Sequence, residues 1–282
     1  MKKILAGILF GSSLIALAQS APKAVLLRLD MDETVIIGAL EGNKWAKGES
    51  LSAGSQAYIK AGLKTVLINN TGTIGKAMAG GKIETGSICD WVRTTGISTP
   101  VKMPYLPTYA IDAAWNPVPR AITTIPNTNT AYQKVMADEL KQRKISKPVI
   151  LSQVIQTDLD GDKVNEVLLV AQNPRLSFDA QNRLNGSYGQ EIGEYSLVQV
   201  RKVVAGKVQT FSLSERIVTK VFDGTVGQPQ VMTQFISAIA DINGDGKMEV
   251  FVDDLVHEGY GVTIYTWNGK GFSKMLEWGC GV

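Results

Sequence analysis

The sequence predicts a mainly β protein built from propeller-like four-stranded units, and three observations carry that prediction. Short Val- and Ile-rich runs alternate with Gly- and Asn-containing turns along most of the chain. One stretch, 131–144, carries apolar residues at helical spacing instead. An acidic loop between two apolar runs occurs twice, beginning at Asp158 and at Asp241, which marks a repeated unit.

The first segment reads as an address. Lys2 and Lys3 precede an apolar stretch from Ile4 to Leu17, and Ala16-Leu17-Ala18 fits a small-x-small cleavage site, the pattern of a bacterial-type signal peptide. A spanning helix needs about 20 apolar residues, whereas this run is shorter and broken by Gly11, Ser12 and Ser13. The expectation is cleavage near Ala18 and a secreted or periplasmic protein, with no transmembrane segment in the mature chain. Export permits disulfides, so Cys89 and Cys280 either bridge or stay as buried thiols.

Residues 22–97 read as an N-terminal β region, with strands at Val25–Leu29, Thr34–Leu40 and Lys64–Ile68. Gly72, Gly75, Gly80 and Gly81 read as a hairpin, since no Lys-Ser/Thr follows to make a phosphate loop. Residues 98–128 hold Pro100, Pro104, Pro107, Pro117, Pro119 and Pro126. Pro donates no backbone N–H, so this range is expected to be a linker or surface loop. The region 129–282 opens with the helix: Thr130 is its cap, Tyr132, Val135, Met136 and Leu140 form one stripe, and Lys141, Arg143 and Lys144 suit its negative end.

After the helix come strands at Val149–Gln156, Glu166–Ala171, Tyr195–Val204, Lys207–Leu213, Phe235–Ala240, Glu249–Val252, Val262–Trp267 and Phe272–Leu276. Residues 174–192 read as a long loop. Asn268-Gly269 has the composition of a two-residue type I′ turn, and Ala205-Gly206 plays a similar part. Gly193–Val200 matches Gly259–Thr266 in pattern, which supports a repeated unit of four strands with a longer insertion in the first copy.

Composition narrows the function classes. A 44% hydrophobic chain with net charge +3 is not disordered. Residues 1–18 carry two Lys and no acid, so their removal lowers the net charge to +1, no footprint for nucleic acid. A single His argues against most His-based metal sites and acid–base catalysis.

The chemistry lies in the repeated loop. Asp158, Asp160, Asp162 and Glu166 occupy its positions 1, 3, 5 and 9, and Asp241, Asn243, Asp245 and Glu249 do so in the second copy. Val164 and Lys247, at position 7, can add a backbone carbonyl each. Gly161 and Gly244 at position 4 allow a tight turn. Calcium takes six to eight hard oxygens at about 2.3–2.6 Å, and alternate residues of a tight loop point inward together. Without an ion, three or four carboxylates this close would repel. Magnesium fits less well because it favours a smaller, water-rich octahedron. Position 12 is Leu169 or Val252 where an EF-hand needs a bidentate Glu, and a strand pattern follows instead of a helix.

On these residues the loops resemble FG-GAP or VCBS-type repeats of integrin-α-like β-propellers. The resemblance covers 147–282, and 22–97 only by strand pattern. It implies that each loop joins two strands of a blade, and that Ca2+ is held by Asp158, Asp160, Asp162, the Val164 carbonyl and Glu166, and by Asp241, Asn243, Asp245, the Lys247 carbonyl and Glu249. Position 6 is Lys163 in the first loop and Gly246 in the second. A positive φ there strains Lys163, so the second loop is expected to be the better formed. Asp30-Met31-Asp32-Glu33 starts like a third loop but lacks the Gly and the position-9 acid.

The functional expectation is an exported calcium-binding β-repeat protein, a binding or structural module for a protein or glycan ligand outside the cell. The alternative is a secreted hydrolase with its site on blade loops. Its residues would be Asp253, Asp254, His257 and Glu258, with His257 as base, though no nucleophile is marked. Trp45, Trp91, Trp115, Trp267 and Trp278 are either a sugar-binding surface or, with no regular spacing, core.

Overall fold

The computed structural model describes residues 20–29, 33–99, 107–173, 177–178, 184–185, 191–220, 233–256 and 259–281. The expected signal segment 1–18, Asp30–Asp32, Pro100, Pro104, most of the 174–192 loop, His257 and Glu258 lie outside the described residues. The protein is mainly β, as the alternation of apolar runs and turns predicts.

Seven strands make the N-terminal sheet: β1 (Ala24–Leu29), β2 (Thr34–Glu41), β3 (Lys44–Lys47), β4 (Leu63–Asn69), β5 (Gly72–Thr85), β6 (Arg93–Ser98) and β7 (Thr108–Ala113). Their order is β1-β7-β4-β5-β6-β2-β3, and β1 also pairs with β2. That last pairing closes six strands into a ring, with β3 flanking β2, and so removes the open edges a flat sheet would leave. Strand β7 comes from the Pro-rich range 98–128, which therefore contributes a barrel strand. The Gly-rich stretch is not a hairpin: it lies within β5, and the turn precedes it at Asn70-Thr71. Gly80, at φ +121°, passes too close to the Ile59 carbonyl for any side chain.

That carbonyl belongs to α1 (Ala53–Ala61), a second helix the periodicity does not reveal. It is short, capped by Ser52, whose hydroxyl accepts from the Ser55 N–H at 3.2 Å, and it buries Ile59 among Val25, Leu27, Ile36, Leu63 and Ala110. The predicted helix is α2 (Thr130–Gln142). Its cap is Asn129 rather than Thr130: the Asn129 side-chain oxygen accepts from the Ala131 N–H at 3.1 Å.

Two antiparallel meanders follow. The first has order β14-β13-β10-β9-β8, from β8 (Thr123–Thr124), β9 (Leu151–Thr157), β10 (Glu166–Asn173), β13 (Tyr195–Val204) and β14 (Lys207–Ile217), while β11 (Ser177–Phe178) and β12 (Leu184–Asn185) pair separately. The second runs β15 (Thr233–Ala240), β16 (Glu249–Val256), β17 (Gly259–Trp267) and β18 (Phe272–Gly281) in spatial order. Each places its acidic loop between its first two long strands, the arrangement expected of the repeated unit. Among the described residues there are two such units, and the N-terminal strands close on themselves instead of forming more.

Layering explains why β15 is buried along its whole length. On one side Ala238 and Ala240, with Phe251 and Ile264, meet barrel residues Leu26, Val35 and Ile37. On the other, Ile236 and Ile239 meet Ile155, Leu168 and Val198 of the first meander. The far face of that meander is covered by Met136 and Leu140 of α2, the predicted core stripe. A disulfide between Cys89 and Cys280 ties the barrel to β18, with Cα atoms 5.9 Å apart. Among the described residues no helix is long and apolar enough to cross a membrane.

Both predicted turns exist, but only one is of the two-residue type. Ala205 and Gly206 have φ +49° and +75°, and Val204 pairs with Lys207, so theirs is the two-residue turn with both central φ positive. The connection at Asn268-Gly269 spans four residues, because the Asn268 side chain accepts from the N–H groups of Lys270 and Gly271 at 3.0 Å each and winds the chain further.

Candidate metal centre

The two acidic loops share one backbone framework. Asp158 accepts the Gly161 N–H at 2.7 Å and the Lys163 N–H at 3.0 Å. Asp241 accepts the Gly244 N–H at 2.7 Å and the Gly246 N–H at 2.9 Å. At the far end, Glu166 accepts the Leu159 N–H at 2.7 Å and Glu249 the Ile242 N–H at 3.0 Å. Asp162 takes the Val164 N–H and Asp245 the Lys247 N–H, each at 2.8 Å. The position-1 and position-9 acids are thus folded inward by backbone donors that only a tight turn exposes. Position 6 has positive φ in both copies, +69° at Lys163 and +82° at Gly246, so the expected strain at Lys163 is present.

A strap from the Pro-rich segment braces both loops. The Arg120 guanidinium donates to the Asp158 carbonyl, to the Leu159 carbonyl at 2.9 Å and to the Gly246 carbonyl at 2.8 Å. The Trp115 indole N–H donates to the Asp241 carbonyl at 2.8 Å, and its ring lies against Gly244, where a β-carbon would approach to 3.0 Å. The loops also touch directly, the Met248 N–H donating to the Leu159 carbonyl at 2.7 Å. Sequence reasoning missed Arg120 altogether and the bracing role of Trp115, since a Pro-rich stretch gives no periodic signal.

The charge environments differ sharply. In the first loop Asp158, Asp160 and Glu166 bring carboxylate oxygens within 4.8 Å of one another. The Lys202 ammonium lies among these acids, 2.7 Å from Glu166, 2.9 Å from Asp160 and 3.3 Å from Asp162. Burial works against its charge, but the hydrogen bonds to Glu166 and Asp160 outweigh that and hold it well above the ordinary lysine range. In the second loop the corresponding side chain is Thr266, whose hydroxyl donates to Glu249 at 2.9 Å. Lys247 comes no nearer than 3.9 Å to Asp245. Burial pushes Glu249 up to about 8, against the Ile242 and Thr266 hydrogen bonds and with help from Asp245 and Asp241. Asp241 is raised as well, again chiefly by burial.

This donor chemistry tests the fit of a hard divalent cation. The second loop offers suitable donors: Asp241, Asn243, Asp245 and Glu249 all carry oxygens, and burial raises Asp241 and Glu249, as it raises Glu166 in the first loop. The first loop does not fit as it stands, because an ammonium already sits among its acids.

Asp253, from the alternative's acidic cluster, is core. Asp253 is fully buried, ion-paired with Arg28, and accepts the Tyr109 hydroxyl at 2.7 Å and the Ser237 hydroxyl. Asp254 accepts from Gln234, and His257 and Glu258 lie outside the described residues. The tryptophans do not gather on one surface. Trp267 and Trp278 are buried, Trp45 packs against the core, Trp115 braces a loop, and Trp91 is 48% exposed. Comparison with known proteins returned no matching family model, no matching curated protein and no matching solved structure.

Proposed function

We propose that this is an exported, calcium-stabilised β-repeat protein of the FG-GAP or VCBS kind, acting as a binding or structural module at or outside the cell envelope. The observation that supports this reading is the second loop. Its three carboxylates and one amide oxygen are gathered by backbone donors, and Glu249 is fully buried with a raised pKa. A fold keeps such a group either protonated or beside a positive partner, and a hard divalent ion is a partner these oxygens suit. Asp241, Asn243, Asp245 and Glu249 would hold the ion, with the Lys247 carbonyl as a further ligand. The chemistry the ion supplies is charge compensation, not a reaction. The hydrolase alternative draws no support from Asp253, whose carboxylate is taken up by Arg28 and two hydroxyls. A protein or glycan partner remains the proposed ligand class.

The test is thermal unfolding in calcium and in chelator, with E249Q alongside. Binding to the folded state alone at 100 times Kd is worth about 2.7 kcal/mol, a Tm rise of about 5–11 °C for a chain of this size. E249Q should abolish the rise. An identical Tm in calcium and chelator for the unaltered protein would refute the reading.

A further inference from the structure

We propose that Lys202 is the built-in cation of the first acidic loop, so that the chain takes calcium at the second loop alone. The second half of this inference rests on the calcium reading above; the first half stands on geometry.

An ammonium has three donors, and the three acids within reach of Lys202 are Glu166 at 2.7 Å, Asp160 at 2.9 Å and Asp162 at 3.3 Å. These are the side chains at loop positions 9, 3 and 5, the set that would ligate an ion. The remaining acid, Asp158, accepts the Gly161 and Lys163 N–H groups just as Asp241 accepts those of Gly244 and Gly246, so the difference between the loops lies at positions 3, 5 and 9. Lys202 is 4% exposed, and its ammonium also lies 5.6 Å from the Trp267 ring centroid of the second meander. The side chain is therefore fixed from two sides rather than swinging from solvent. A divalent ion bound by the same oxygens would need the space the ammonium fills and would face its charge at close range.

The register shows how the two copies diverged. Val167 faces Arg201 across the first ladder, and Val250 faces Tyr265 across the second. One step closer to each loop stand Lys202 and Thr266. Each reaches the position-9 acid of its own loop, Glu166 at 2.7 Å or Glu249 at 2.9 Å. The same place on the fold thus carries a cation in one unit and a neutral hydroxyl in the other. The first loop is complete without metal, and the second is left needing one.

Calcium itself is the probe, with stoichiometry by calorimetry and the calcium-dependent Tm shift as readouts. The unaltered protein is expected to bind one ion, K202M two, E249Q none, and K202M/E249Q one. K202M should also melt lower than the unaltered protein in chelator and recover in calcium. Should K202M fail to fold, K202Q carries the same test, and the unaltered protein and E249Q already bear on it. Two ions on the unaltered protein, or a calcium response in E249Q that D160N removes, would overturn the inference. So would a second ion absent from both K202M and K202Q. No ion on the unaltered protein but one on K202M would sustain the built-in cation while sinking the proposed function.

Discussion

Replacing Asp253 by Asn tests the contact that locks the barrel to the second meander. Arg28 on β1 is 1% exposed, and its guanidinium stacks among the rings of Tyr260, Trp278 and Tyr109 at 5.1, 5.7 and 5.9 Å from their centroids. Its counter-charge is Asp253 on β16, which the Tyr109 and Ser237 hydroxyls also address. In D253N the hydroxyls keep an acceptor, but the buried guanidinium loses the Asp253 charge. Breaking a buried pair on one side costs about 3–5 kcal/mol. For a chain of this size that is a Tm fall of about 6–20 °C. Removing both charges in R28M/D253N should return much of the loss, because a buried pair is worth little against an apolar replacement but each half alone is costly. Denaturant unfolding of the four proteins gives the coupling directly. If D253N costs less than about 1 kcal/mol, or the double variant is no better than either single one, the clamp is not what the geometry says.

Three further outcomes are expected. In chelator, Glu249 has a folded pKa raised to about 8 against about 4.5 unfolded, so its contribution is fully present below the unfolded value and is lost as pH rises through the folded one. Cation-free protein should therefore lose stability between pH 5 and 9, on the order of a few kcal/mol, and E249Q should flatten the profile; a flat profile in the unaltered protein contradicts the assignment. K163G relieves the positive φ at position 6 and should stabilise by about 1 kcal/mol, whereas G244A drives a β-carbon to 3.0 Å from the Trp115 ring at φ +77° and should destabilise, both by chemical denaturation. Reducing the Cys89–Cys280 bridge opens a loop spanning 191 positions, worth up to about 5 kcal/mol in the chain-entropy account, so C89S/C280S should melt well below the oxidised protein and lose its sensitivity to reductant.

What the sequence disclosed and what it hid divide by the range of the interaction. Loop positions 1, 4 and 9 are set by contacts within nine residues, so the acids and the glycines read directly. The long strands read as well, since burial on both faces leaves continuous apolar runs such as 168–171 in β10. Barrel closure did not, because it depends on β1 meeting both β2 and β7, pairings no local pattern encodes. Nor did α1, nine residues with a single deeply buried apolar side chain. The most consequential miss is one of register. Aligning Gly193 with Gly259 sets Thr266 opposite Val200, yet across the ladders it stands where Lys202 does. A slip of two residues leaves every inward and outward side chain on its own face, so apolar pattern alone cannot detect it. Only the pairing of each strand with its neighbour exposes it. Once it is corrected, two loops that look interchangeable part company: one repeat brings its own positive charge from 36 residues downstream, and the other brings a hydroxyl from 17. A duplicated acidic loop therefore states where oxygens converge, but whether the convergence is a metal site is decided by a residue on the next strand.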